Sequence, residues 1–183
     1  MKRASIILLI LMISSIGLPT SNLGVVSSEV VCCDSIQYNL MLTGSSSNGQ
    51  LSPFESSLGS EQKSEVGSAI TQSTEVGRWT GQTNFGGEYP SHTATFVLPY
   101  RINDGAGVTI NASVELRLGS EVNTGSTPLP QTFLPGENGV LELEIDVSSG
   151  TLLAEDSIIV IFSVQELLLP TGANPSIEFL WGT

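Results

Sequence analysis

The sequence contains few of the residues from which catalytic and metal sites are usually built. It has one histidine, His92, and two cysteines, Cys32 and Cys33, among its 183 residues. A catalytic histidine needs a placed acid and an activated nucleophile, and no spacing around His92 indicates either. A zinc site needs four ligands at defined spacings, which two adjacent cysteines cannot supply. We therefore predict that the protein is not an enzyme and that it needs no metal ion or other cofactor.

Positively charged residues are also scarce. Six Lys and Arg stand against 18 Asp and Glu, which gives a formal net charge of −12. A surface this acidic repels phosphate backbones and anionic lipid, so we expect no nucleic-acid binding. Solubility is the simplest interpretation of the charge, and recruitment of a basic partner by the carboxylates is the alternative.

Long apolar runs are limited to the N terminus. Residues 6–16 (IILLILMISSI) follow Lys2 and Arg3, an order that is typical of a secretory signal, and the run is short for a bilayer span. We predict that residues 1–28 are a signal peptide, with an uncleaved signal anchor as the alternative. The folded part, residues 29–183, is then a single domain outside the cell or on its surface, and only such an anchor would attach it to a membrane.

Cys32 and Cys33 follow directly after this segment. In an oxidising compartment, two adjacent cysteines form a vicinal disulfide or bonds to another chain, or they remain small residues at the entry of a strand. The sequence leaves these alternatives open.

The clearest pattern in the chain is an alternation of apolar and polar side chains over residues 107–119 (GVTINASVELRLG). A period of two is typical of a strand with one buried and one wet face. Further strand patterns cover residues 36–43, 93–103, 140–147, 157–169 and 177–181, with weaker ones at 69–76 and 78–85. We predict an all-β protein, an antiparallel β-sandwich of the jelly-roll or Greek-key type, with residues 107–119 near its middle.

The turns of this sandwich are predicted from local sequence. Asn103, Asp104 and Gly105 tolerate positive φ and predict a hairpin between residues 93–103 and 107–119. Residues 120–139 are too many for a tight hairpin, so they are expected to cross between sheets or to carry a binding surface.

The segment at residues 44–77 is rich in Ser, Gly and Glu and is the least core-like part of the domain. The order Ser52, Pro53, Glu55 predicts at most one short helix near residues 53–60. Residues 69–76 are expected to rejoin the sheet as an edge strand.

Three carboxylates, those of Glu142, Glu144 and Asp146, lie on one face of the strand predicted at residues 140–147. Calcium requires converging oxygen ligands, and a flat row of side chains does not converge. We interpret the row as a solvated face that discourages pairing at the edge of a sheet.

Trp79, Gln82, Asn84 and Tyr89 combine aromatic rings with amides, a composition typical of sugar-binding surfaces. The alternative is that Trp79 is a core residue and that Tyr89 packs over a loop. Our leading interpretation is a non-catalytic module with a structural or interaction role, with other surface proteins as partners. The alternative is a glycan-binding module that uses these four residues and the loop of residues 120–139. A hydrolase with paired carboxylates is a third interpretation.

Asn111 begins an Asn-Ala-Ser sequon within the central alternation. The pattern that buries Ala112 places Asn111 and Ser113 on the wet face, where a glycan would not disturb the core. Asn111 is therefore a candidate acceptor if the source has a glycosylating machinery, and otherwise it is a plain polar residue.

Overall fold

The computed structural model describes residues 40–52, 61–82, 86–103, 105–170 and 175–182, and all of them belong to one compact unit. Several predictions concern residues outside these ranges: the signal at 1–28, Cys32, Cys33, the first half of the strand at 36–43, the helix near 53–60, Asn84 and Asp104. The side chain of Gln82 is also not described. The described residues contain no long apolar helix of the kind that spans a bilayer.

The described residues form thirteen strands and no helix, so the prediction of an all-β fold is confirmed. The strands are β1 (Met41–Ser45), β2 (Asn48–Ser52), β3 (Gln62–Val66), β4 (Thr74–Gln82), β5 (Gly87–Tyr89), β6 (His92–Ile102), β7 (Val108–Leu118), β8 (Glu121–Ser126), β9 (Gln131–Phe133), β10 (Asn138–Val147), β11 (Gly150–Leu152), β12 (Ser157–Leu168) and β13 (Ile177–Trp181).

The strands make two sheets that pack against each other around one apolar core. The larger sheet has the order β1-β2-β4-β12-β7-β8, and β9 pairs with β7 beside β8. The smaller sheet has the order β10-β6-β13-β3, and β5 and β11 form a separate ribbon. The pairing is antiparallel except between β2 and β4, so the larger sheet is mixed and the prediction of a purely antiparallel sandwich is corrected there.

Strand β7 is the interior strand that its alternation predicted. Its apolar side chains are all buried and its polar ones are all partly exposed, without a break from Val108 to Leu118. It pairs with β12 on one side and with β8 and β9 on the other. The wholly local signal of period two therefore identified an interior strand correctly, although β7 lies beside the edge strand β8 and not at the middle of the larger sheet.

Replacing Val114 by Ala should lower the free energy of unfolding by about 2 kcal/mol, because two methyl groups leave a close-packed core. Ser113→Ala is the matched control. Ser113 lies on the outer face of the same strand, so its loss should change stability by less than about 0.5 kcal/mol. Denaturant midpoints measure both effects, and equal losses would contradict the observed register.

Strand β12 is buried on both faces around Phe162 and Ile161. Phe162 faces the core, where its ring lies 5.6 Å from that of Phe96 and 4.9 Å from that of Phe179. Ile161 points to the opposite face and is still only 7% exposed. Its cross-strand neighbours are Arg78 and Glu115, whose long aliphatic stems cover apolar surface while their charged ends stay in water.

The predicted hairpin between β6 and β7 is wrong, because the two strands belong to different sheets. Strand β6 pairs with β10 and β13, whereas β7 pairs with strands of the larger sheet. Asn103 directs the chain across the sandwich instead. Its backbone N–H donates to the carbonyl of Ser176, and its side-chain Oδ1 accepts from the backbone N–H of Gly105. The turn residues were identified correctly, but they make an arch between sheets.

The expectation for residues 120–139 is also corrected in part. Leu118 pairs with Glu121, so Gly119 and Ser120 form a tight hairpin, although the segment 120–139 was predicted to be too long for one. Gly119 has a φ of 60°, a value that glycine adopts without strain. Strand β9 then returns to β7, and only after β9 does the chain cross to β10 in the other sheet.

The segment at residues 44–77 contributes more strands than its composition indicated. Strands β1 and β2 form a hairpin with Ser46 and Ser47 at the turn, and β3 is an edge strand of the smaller sheet. Leu40 is exposed, whereas Thr43 is buried.

The predicted edge strand at residues 69–76 is wrong. Ile70 makes a single bridge to Leu167, and from Thr74 onward the chain belongs to β4, an interior strand. A register shift beside Phe162 leaves Val76 as an extra residue, so Val76 and Gly77 are both buried. Such a bulge interrupts the alternation and explains why two short strands were predicted in place of one.

Candidate functional site

Trp79, the first residue of the predicted glycan site, is a core residue. Its side chain is 0% exposed, and its ring contacts Trp181 edge-on at 5.3 Å and Phe96 at 6.4 Å between centroids. A ring enclosed in this way offers no face to a sugar, so the assignment of Trp79 to a binding surface is corrected.

Two glycines explain how a side chain of this size lies flat within a sheet. A Cβ atom placed on Gly77 would come within 2.2 Å of Trp79 Cη2, and one on Gly49 within 2.1 Å of Trp79 Cδ1. Gly77 is two residues before Trp79 on β4, and Gly49 is its neighbour on β2 in the parallel ladder. The absence of side chains at both positions creates the space that the indole occupies.

Tyr89 packs over the β5–β11 ribbon. A Cβ atom on its partner Gly150 would lie 2.4 Å from Tyr89 Oη, so the ring depends on a glycine as Trp79 does. The buried environment raises the pKa of Tyr89, with a further contribution from the charge of Glu121. An open pocket of about 250 Å³ beside it is lined by Glu88, Tyr89, Ser149, Gly150 and Thr151.

The predicted glycan site is therefore not assembled by its two aromatic residues. Trp79 lies inside the sandwich, and Tyr89 is half-buried over Gly150. Residues 83–85, Asn84 among them, lie outside the described ranges. Residues 120–139 contribute strands β8 and β9 to the larger sheet, together with a turn that ends at Glu137.

His92 stands at the exposed start of β6, where its Nδ1 lies 2.9 Å from the carbonyl oxygen of Pro90. Across the described ranges, no group of three or more His, Cys, Asp or Glu side chains is arranged to hold a metal ion.

Asn111 lies on the outer face of β7, as its position in the alternation predicted. Its Oδ1 accepts a hydrogen bond of 2.8 Å from the hydroxyl of Thr127, which also accepts from the N–H of Ala112. The carboxamide therefore holds the chain segment between β8 and β9. Glycosylation of Asn111 stays a prediction, which is tested by comparing the intact mass of the purified protein with that of the Asn111→Gln variant.

A carboxylate that sequence reasoning missed joins the two sheets at one end of the sandwich. Glu137 accepts hydrogen bonds from the hydroxyl of Tyr100 at 2.7 Å and from the backbone N–H of Leu134 at 2.6 Å. The N–H of Leu134, followed by the hydroxyl of Tyr100, holds the pKa of Glu137 below its ordinary value. The run Leu-Pro-Gly-Glu is a turn signal that could have indicated this arrangement.

The hydroxyl of Tyr100 should make the protein sensitive to alkali. Burial, and then the hydrogen bond to Glu137, raise the pKa of Tyr100 from 10.0 to about 12. Its contribution to stability is complete below pH 10, where the unfolded chain also keeps the proton, and is lost as the pH rises towards 12. Since one pKa unit corresponds to about 1.4 kcal/mol, the loss should amount to roughly 2 to 3 kcal/mol.

Denaturant unfolding at pH 9 and pH 11.5 measures this contribution. Tyr100→Phe should remove most of the difference between the two values, whereas Tyr89→Phe should remove a smaller part, because the pKa of Tyr89 is raised without a hydrogen bond to a carboxylate. An unchanged difference in Tyr100→Phe would assign the alkaline loss to other groups.

The outer face of the smaller sheet carries an exposed group of apolar side chains. Val97, Pro99 and Val140 point to solvent from β6 and β10, and we refer to these three residues as the outer strip. Pro99 is opposite Val140 in the ladder, and Val97 is diagonal to it. Val97 is 47% exposed and Val140 51% exposed.

Carboxylates continue this face along β10. Glu142 is opposite Val97, Glu144 opposite Thr95 and Asp146 opposite Thr93. All three acidic side chains are exposed, as the sequence predicted. At the other end of the face, Glu178 pairs with both Lys63 and Arg101.

No protein-family model matches this chain, and no curated protein matches it.

Proposed function

We propose that the protein is a non-catalytic β-sandwich module that is exported and acts outside the cell or at its surface in a structural or interaction role. Export is supported by the basic residues Lys2 and Arg3, followed by the apolar run at residues 6–16. The sandwich supplies a rigid scaffold, and the outer face of the smaller sheet supplies the contact surface.

The observation that carries the interaction role is the outer strip. Single exposed apolar residues are ordinary, but adjacent ones on a flat sheet face, bordered by charges, are typical of protein–protein contacts. Val97 and Val140 each remain about half exposed although they lie within regular strands. A contact would remove this apolar area from water and so stabilise the complex.

Export is tested by N-terminal sequencing of the protein from outside the cell. We expect the mature chain to begin after the apolar run, and Leu9→Arg, which interrupts that run, should keep the protein inside. Recovery of the wild-type chain from the cytosol with Met1 intact would contradict the proposal.

The interaction role is tested by crosslinking on intact cells with an amine-reactive reagent. Lys63 is the only lysine after residue 2, and it lies on β3, on the same face as the outer strip. Its side chain is 54% exposed and therefore accessible to the reagent. We expect a covalent product of higher mass that joins Lys63 to another protein. Lys63→Arg, which keeps the charge beside Glu178, should abolish this product. A wild-type chain that remains uncrosslinked would contradict an interaction role for this face.

A further inference from the structure

We infer that the outer strip is a docking surface for a basic protein segment, one that presents Lys or Arg side chains next to apolar ones. This inference rests on the proposed interaction role and specifies its surface and the chemistry of its partner. It combines an apolar contact area with a negative charge that the fold itself leaves unpaired.

The apolar part of the surface is made by neighbouring positions. Pro99 and Val140 are directly opposite each other across β6 and β10, a geometry in which side chains contact each other, and Val97 is the next residue on the same face of β6. Valine and proline lose little side-chain entropy on binding, so covering them is favourable. A partner must therefore present apolar side chains at the same spacing.

The charge beside the strip is negative and uncompensated. Within the described ranges, Glu142, Glu144 and Asp146 form no ion pair, although Asp146 accepts a hydrogen bond from Thr93. Three like charges in one row make a local negative potential that steers cationic groups to the surface. Lys and Arg side chains that flank the apolar residues of the partner would meet this row.

A second copy of this chain is a poor occupant of the surface. The protein carries a net charge of −12, so two copies repel each other. The far end of the face could not offset this repulsion, because Lys63 and Arg101 are accompanied there by Glu178 and Glu65 and sum to no net charge. Charge complementarity therefore selects a basic partner.

The outer face of the larger sheet shows the opposite arrangement and serves as an internal control. Two of its carboxylates, those of Glu75 and Glu115, are paired with Arg78 and Arg117, respectively. A third, that of Glu166, stands opposite Asn111 and forms no ion pair within the described ranges. Val122 on the same face is 54% exposed, which is close to the exposure of Val97 and Val140. This face thus has comparable apolar exposure without an unpaired acidic row.

The experiment is an NMR titration of the mature protein with a ten-residue peptide of alternating Lys and Val. A peptide of alternating Glu and Val is the control probe. We expect saturable shifts of the backbone amides of β6 and β10, and none with the control probe.

The double variant Val97→Thr, Val140→Thr should weaken binding about tenfold, whereas Val122→Thr should leave it unchanged. Glu142→Gln combined with Glu144→Gln should also weaken binding and reduce its salt dependence.

Two results would overturn this inference: shifts spread evenly over both sheets, or equal binding by the double variant and Val122→Thr. Sedimentation that shows a wild-type dimer, lost in the double variant, would instead assign the strip to a second copy. Crosslinking distinguishes a failure of this surface assignment from a failure of the proposed interaction role. If the Lys63 product persists in the double variant, the interaction role stands and this surface assignment fails. If the wild-type chain gives no product, the proposed function itself fails.

Discussion

Trp79→Ala should lower the free energy of unfolding by about 3 to 5 kcal/mol, the largest effect we expect from any single truncation in this protein. The indole is fully buried between Trp181, Phe96 and the backbone of two strands, so its removal leaves a cavity that the surrounding sheets cannot close. Its contacts join the two sheets, because Trp79 belongs to β4 whereas Phe96 and Trp181 belong to β6 and β13. Denaturant unfolding of the purified protein measures the loss.

The glycine next to the indole provides the sharper test. Gly77→Ala should cost about 2 to 3 kcal/mol in the wild-type protein, because the new methyl group would overlap the six-membered ring of Trp79. In the Trp79→Ala background the ring is absent, and the same substitution should cost less than about 1 kcal/mol. Gly67→Ala is the matched control, since a Cβ atom there meets only Ser176 at an ordinary 3.7 Å. An equal cost of Gly77→Ala in both backgrounds would show that the indole and the glycine are not coupled.

The strands that could be predicted from sequence are those whose signal is local. Residues on β6, β7, β10 and β13 alternate in burial along their whole length, and each strand was placed within a few residues of its observed bounds. An alternation of apolar and polar side chains shows which face of a strand is buried and nothing else. It contains no information about the partner strand, and for this reason the arch at Asn103 was predicted as a hairpin.

The candidate site could not be predicted either, because it depends on residues that come together only when strands pair. Aromatic and amide residues close in sequence predicted a sugar-binding surface around Trp79, but burial of this ring is decided by Gly49 on another strand. Gly49 precedes Trp79 by thirty residues, so the sequence around Trp79 does not reveal that the two residues are neighbours in the sheet. Gly77 was the one available signal, because a glycine two positions before a tryptophan lies on the same face of a strand and leaves room for the ring. The outer strip was missed because Val97, Pro99 and Val140 come together only when β6 and β10 pair.

Gly125→Val should lower the free energy of unfolding by about 3 kcal/mol or more, although strand propensity alone predicts a small gain for valine. Gly125 lies on β8, at the edge of the larger sheet, and faces inward against β10, at the edge of the smaller one. A Cβ atom at this position would come within 2.1 Å of the carbonyl oxygen of Glu144. Backbone cannot rotate out of the way as a side chain does, so the two edges would have to separate.

Separation of β8 from β10 would also break a hydrogen bond that closes the same side of the sandwich. The N–H of Ser148 donates to Oδ1 of Asn123 at 3.0 Å, and Asn123 is a buried residue of β8. The amide hydrogen of Ser148 should therefore exchange faster in Gly125→Val than in the wild-type protein, because local opening of this edge becomes less costly.

Thr124→Val is the matched control for Gly125→Val. The side chain of Thr124 is exposed, so the same gain in strand propensity comes without the clash, and stability should stay level or rise slightly. If both substitutions proved equally tolerated, the close approach of β8 to the Glu144 carbonyl would not be what closes this edge.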